Sequence, residues 1–289
     1  LQDEITRKLI TAMEVKLTFG EQARLWEGAG TTSIKAYDKL MRGWDYYYRY
    51  NRQDSAEARK FVREALKIDK EYSFAYVLLG FILLYDIFAG SRDVIHDARE
   101  LNKCAYKAIE LNDSFDLAHA LLGYVYLLER QHDKSIVQMN RAVALNPNGA
   151  DAHAHLAFSL NLSGKPEKAI DLMKRAFRLN PIPPPDYFAI LANAYRMIGQ
   201  YLKAIEACKK AISKSPEYVS PYITMAASYS LLEQYEKAHE TVTEILRINP
   251  NLSIDNVTLT NRFKQKADLD NLLDALRRAG LPERSWSIP

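Results

Sequence analysis

Cysteine is scarce in this chain, with two among 289 residues, Cys104 and Cys208. They lie too far apart for a metal-ligand spacing and make no disulfide framework, so a reducing, cytoplasmic setting is expected. Charge of one sign is lacking too. Lys+Arg number 39 against 36 Asp+Glu, a net +3, with no long acidic or basic run. Nucleic-acid binders carry a basic bias or stripe, so no nucleic acid is expected as a partner. The longest apolar run, Phe74 to Tyr85, ends at Asp86 after 12 residues. A membrane span needs about 20, so this run reads as a buried helix and no membrane insertion is expected. No G-x-x-x-x-G-K-[ST], G-x-G-x-x-G, H-E-x-x-H or G-x-S-x-G occurs. No catalytic residue, cofactor or metal site is therefore assigned. The chain opens on "LQDEITRK", which has neither a starting Met nor the apolar core of a signal peptide, so a piece of a longer protein is expected.

What the chain does have is an internal period. "HDKSIVQMNRAVALNPN", "PEKAIDLMKRAFRLNPI", "YLKAIEACKKAISKSPE" and "YEKAHETVTEILRINPN" close on Pro147, Pro181, Pro216 and Pro250, at spacings of 34, 35 and 34 residues. Upstream of each, Gly123, Ala157, Ala192 and Ala226 recur at one phase, followed three residues on by Tyr126, Leu160, Tyr195 and Tyr229. Ser135, Ala169, Ala204 and Ala238 then recur, and after them Ala142, Ala176, Ala211 and Ile245. Apolar spacing within each half is i, i+3, i+4, i+7, which is helical. Small residues at fixed phase let paired helices approach, and the closing Pro ends each pair. Two less regular units precede these. One carries Leu79-Gly80 and Ala108, with nine extra residues between its helices around "DIFAGSRDVIHD"; the other carries Gly43, Tyr46, Ala58 and Ala65.

Histidines invite a metal reading. His153 and His155, however, are two apart on a helix and point roughly 200° apart. His119 and His153 share the repeat position of Tyr76, Phe188 and Tyr222, which reads as a packing contact between units. Cys208 takes the place of Met139, Met173 and Val242 and reads as core. The pairs Lys174-Arg175 and Lys209-Lys210 read as solvated outer faces.

The four regular units resemble the tetratricopeptide repeat, a helix-turn-helix of 34 residues. The resemblance implies an all-α, right-handed superhelix of about six repeats, near 35–70, 71–114, 115–148, 149–182, 183–217 and 218–251. Residues 1–30 are expected to form a helical arm or linker from an upstream domain, with Ile5, Leu9, Met13 and Leu17 on one face. Residues 252–289 are expected to hold an irregular segment, "NLSIDNVTLTNRFKQK", and a capping helix built on Leu269, Leu272, Leu273 and Leu276 with Gly280 as C-cap.

In that family the first helices line a concave groove that takes a peptide or protein segment. Carried over by repeat position, the groove holds Trp44, Phe81, Tyr124, Phe158 and Asn193 at the ninth place and Leu84, Leu127, Asn161 and Arg196 at the twelfth. Phe74, Val77, Asp151, Asp186 and Ile223 join them from the second and fifth, and Tyr47 lies beside Trp44 in the aromatic stretch "GWDYYYRYN". The groove is thus aromatic in its N-terminal half and polar in its C-terminal half. Either a partner or residues 1–30 would fill the aromatic half. Some members clamp a carboxylate with Lys and Asn, but Ala189 stands where that Lys would be, in the same unit as Asn193.

The two ends, "LQDEITRKLITAMEVKLTFGEQARLWEGAGTTSIKAYDKLMRG" and "INPNLSIDNVTLTNRFKQKADLDNLLDALRRAGLPE", resemble segments flanking such repeats in bacterial multidomain signalling proteins. Some of these carry a nucleotide cyclase domain upstream, others a winged helix. The implied function is a non-catalytic interaction module, with a regulatory or dimerising region of a cyclase or transcription regulator as the alternative. Whether the chain forms a homodimer stays open.

Overall fold

The computed structural model describes residues 30–90 and 93–284. The expected arm at residues 1–30 falls almost wholly outside them. Fourteen helices and no strand occur among the described residues: α1 Ile34–Tyr47, α2 Arg52–Ile68, α3 Ser73–Phe88, α4 Val94–Leu111, α5 Asp116–Leu128, α6 His132–Leu145, α7 Ala150–Leu162, α8 Pro166–Leu179, α9 Pro185–Met197, α10 Tyr201–Lys214, α11 Val219–Leu231, α12 Tyr235–Ile248, α13 Ile254–Thr260 and α14 Lys266–Arg278. Local signals explain several of the boundaries. Ser33, Asn51, Asp93 and Ser253 accept side-chain caps from the backbone N–H groups of Ala36, Asp54, His96 and Asn256. Pro166 and Pro185 open α8 and α9, where the missing N–H costs nothing.

The first twelve helices pack as six antiparallel pairs, α1 with α2 through α11 with α12, and each pair stacks on the next. Close approach explains the small residues. A Cβ on Gly80 would sit 2.3 Å from Leu121 Cδ2, and one on Gly123 2.9 Å from Met139 Cε. The alanines at the matching phases, Ala157, Ala192, Ala226, Ala169, Ala204 and Ala238, are all fully buried.

One repeat position has a polar task beyond packing. The hydroxyls of Tyr76 and Tyr222 donate to the carbonyls of Lys70 and Pro216, six residues upstream. His119 Nε2 and His153 Nε2 meet the carbonyls of Asp113 and Pro147 at the same separation, 2.7 and 2.9 Å. This ties the turn between units to the following helix, and it accounts for both histidines without a metal.

The segment expected to be irregular contains α13, a two-turn helix with Ile254, Val257 and Thr260 buried. Seven residues rich in Thr and Asn are too few to show a helical period or to hold a helix alone. Burial of those residues and the Ser253 cap stabilise it in place. Its N-terminal Ile254 N–H donates to the Pro282 carbonyl at 2.9 Å, across α14. Gly280, at φ +89°, follows α14 in the left-handed turn conformation that suits glycine.

The solenoid does not stay open. Helices α13 and α14 fold back into the concave side, where α14 packs on α11 and the Lys264 N–H donates to the Leu162 carbonyl at 2.7 Å. The two ends of the repeat array also meet. Ser215 Oγ donates to the Arg49 carbonyl at 2.9 Å, Asn249 Nδ2 to the Ala89 carbonyl at 2.9 Å, and Arg52 Nη1 to Asn249 Oδ1 at 3.4 Å. The first and second pairs are thereby joined to the fifth and sixth, and the groove becomes a cavity.

Candidate functional site

The cavity has a volume of about 160 Å³ and is bounded by the first helices of all six pairs, α1, α3, α5, α7, α9 and α11, together with α13 and α14. One wall is tyrosine. Tyr50 packs on Tyr218 with ring centroids 4.8 Å apart, and Tyr85 and Tyr47 lie 6.0 and 5.7 Å from Tyr50. The facing wall stacks Phe81 on His155 at 5.1 Å, with Tyr124 and Phe158 5.4 Å apart beside them. Tyr50 holds φ +51°, a left-handed conformation that costs a bulky residue on the order of 1 kcal/mol. Contacts with Tyr218, Tyr85 and Tyr47 hold it there.

Among the described residues, Asp186 is the one charged residue lining the cavity. It stands in the first turn of α9, and its Oδ1 is shut from solvent without a hydrogen-bond partner. Burial pushes its carboxyl up to about 7, and the neighbouring Asp151 carboxylate adds to the rise. Hydrogen bonding from the Tyr50 hydroxyl and from backbone N–H groups pulls the other way. Asp151 itself accepts the Tyr187 hydroxyl at 2.5 Å. Burial raises the hydroxyls of Tyr47, Tyr50, Tyr124 and Tyr218, and the Asp186 charge raises them further. Burial lowers His155, which keeps the ring neutral, and its Nδ1 shares a 2.9 Å hydrogen bond with the Tyr124 hydroxyl.

The twelve residues expected in the groove divide in two. Tyr47, Phe81, Leu84, Tyr124, Phe158 and Asn193 line the cavity. Trp44 and Phe74 meet edge-on at 5.4 Å and lie outside it. Val77 and Leu127 are wholly within the core. Asn161 is fully buried and donates from Nδ2 to the Ile190 carbonyl at 2.9 Å, bridging neighbouring repeats. Arg196 is covered by the C-terminal segment, with its guanidinium 6.0 Å from the Phe263 ring and Nη2 donating to Asn193 Oδ1 at 3.1 Å. That burial lowers its pKa to about 10.

Reading by repeat position missed Tyr50, Tyr85 and Tyr218. Tyr50 and Tyr218 sit in turns, one on each side of the closure, where a helical period carries no signal. The tyrosine richness of 43–51 was the available hint.

Stacked helix pairs with small residues at fixed phase and a concave inner face define a class, the α-solenoid. Two of its units match the tetratricopeptide repeat. The family model described as "Tetratricopeptide repeat" matches residues 118–148 and 185–218. Among solved structures, the Cut9-Hcn1 hetero-tetramer of the APC/C superposes at TM-score 0.56, with 17% identity over 74% of this chain and 40% of that one. PilW, a type IV pilus biogenesis factor, superposes at 0.51, with 16% identity over 72% and 88%. In sequence, a Rhizobium meliloti (strain 1021) protein named "Putative adenylate cyclase 3" is 38% identical over 86 residues, which is 30% of this chain and 14% of that protein. The match thus spans about one seventh of that relative's length. Folds of this kind serve protein–protein interaction and are generally non-catalytic. No described helix is long and apolar enough to cross a membrane.

Proposed function

We propose that this chain is a non-catalytic interaction module of a bacterial signalling protein, which receives an anchoring side chain of a peptide or protein segment in the aromatic cavity. The observation that carries this reading is the cavity itself. Apolar and aromatic walls with a few convergent polar groups are the usual make-up of a ligand site, and here several repeats supply them in a fold made for binding. The same likeness to a cyclase-named relative favours a second reading, a regulatory or dimerising region beside a nucleotide cyclase domain.

A peptide-display library panned on the full chain tests the first reading. Enriched peptides should share a large anchoring residue, and Phe158→Ala or Tyr124→Ala should weaken them about tenfold or more while circular dichroism stays unchanged. Enrichment without a shared anchor, or binding indifferent to both substitutions, refutes it. For the second reading, fusing the chain to a cyclase domain should change cyclase output, and Tyr218→Ala, which removes the ring packed on Tyr50 across the closure, should alter that change.

A further inference from the structure

We propose that the occupant of this cavity is an alkylammonium group, held by the tyrosine wall and the Asp186 carboxylate. The inference rests on the reading of the cavity as the ligand site and names the chemistry it selects. The first reason is the character of the walls. Rings of Tyr47, Tyr50, Tyr85 and Tyr218 crowd one side, and Phe81 and Tyr124 the other. Aromatic faces attract a cation through their quadrupole, the more so when it is desolvated.

The second reason is charge. Among the described residues lining the cavity there is no Lys or Arg, and one carboxyl is present. Its Oδ1 has no donor among the described residues. A buried carboxylate oxygen without a donor is costly, and a cation supplies what the chain does not. Asp151, the nearest acid in its effect, is already engaged by Tyr187. His155 is held neutral and does not compete for the carboxylate.

The third reason is size. A cavity of roughly 150 Å³ takes a benzene-sized ligand, so the 160 Å³ found here has room for a methylated ammonium head. Two sources share this chemistry, a free small amine and the side chain of a lysine or methyl-lysine in a bound peptide.

Calorimetric titration of the full chain at pH 8, where the carboxyl is ionised, tests the idea with three probes. These are choline, its neutral carbon isostere 3,3-dimethylbutan-1-ol, and a short peptide bearing trimethyl-lysine. Choline should bind at least about tenfold tighter than the isostere. Asp186→Asn should abolish that preference while leaving the weak neutral binding in place. Tyr218→Leu, which keeps the carboxyl and removes one ring, should weaken choline by a smaller factor. Binding of the peptide but not of free choline, with the same loss in Asp186→Asn, assigns the ammonium to a side chain and upholds the proposal. Equal binding of choline and its isostere, or cation binding untouched by Asp186→Asn, overturns it. If cations fail while peptides with neutral anchors bind and respond to Phe158→Ala, the interaction function stands and this inference falls.

Discussion

Asp186→Asn is the substitution with the clearest expected sign. In the folded chain burial raises the carboxyl from its ordinary 3.8 to about 7. In the unfolded chain it returns to about 3.9. The folded state therefore prefers the protonated form. Below pH 4 both states are protonated and the group costs nothing. Between pH 4 and pH 7 the unfolded chain ionises first, so it binds fewer protons than the folded one, and stability falls as pH rises. Above pH 7 the full cost is present. Three pKa units at 1.36 kcal/mol each set a ceiling of about 4 kcal/mol. Asp186 keeps part of its surface facing the cavity, where water can relax around it, so about 2–3 kcal/mol is expected.

Asparagine mimics the neutral acid in shape and does not titrate. The variant should match the natural chain near pH 3 and exceed it progressively up to pH 7.5, then run parallel. Urea unfolding followed by circular dichroism at several pH values measures the difference. Subtracting the two curves removes other titrations, including that of His155. Burial lowers that ring, so it costs stability in the opposite direction as pH falls through its unfolded value near 6.5. A difference that does not vary with pH, or one that shrinks from pH 4.5 to 7.5, refutes the account of Asp186 as a buried carboxyl.

Gly80→Ala should destabilise the chain by about 1–3 kcal/mol, because its Cβ would meet Leu121 Cδ2 at 2.3 Å in a packed core. At Gly199 nothing lies within 4 Å of an added Cβ, yet φ is +75°. Gly199→Ala should therefore cost about 1 kcal/mol through backbone strain alone, and urea midpoints of the two variants should keep that order. Asn249→Ala removes the donor to the Ala89 carbonyl in a buried contact. A loss of about 1–3 kcal/mol is expected, with a larger radius of gyration in X-ray scattering if the closure depends on it. Unchanged scattering combined with unchanged stability would show that the ends stay together without this bond.

Much of the fold was legible in the chain. The 34-residue period and its small residues depend on local geometry, since helix pairs of fixed length must approach at fixed points. Gly80, Gly123 and Ala157 thus announced close packing before any coordinates. The buried tasks of His119 and His153 followed from the same phase, though their bonds to carbonyls six residues upstream did not. Helix α13 escaped notice, because seven residues carry too little periodicity and its stability comes from what it packs against.

The site was half legible. Repeat position placed Phe81, Tyr124, Phe158 and Asn193 on the inner face, as well as Asp186, because side chains on a helix recur at predictable angles. The same rule put Val77, Leu127, Asn161 and Arg196 on that face, and the structure buries all four. The sequence alone determined the helices, their pairing and the inward rings, all of which are set by interactions between residues near in the chain. Only the tertiary structure decided that the groove closes. Tyr50 meets Tyr218, Asn249 meets Ala89 and Arg196 lies under α14 because superhelical curvature, summed over six pairs, brings distant ends together. That sum is a global quantity no local pattern encodes.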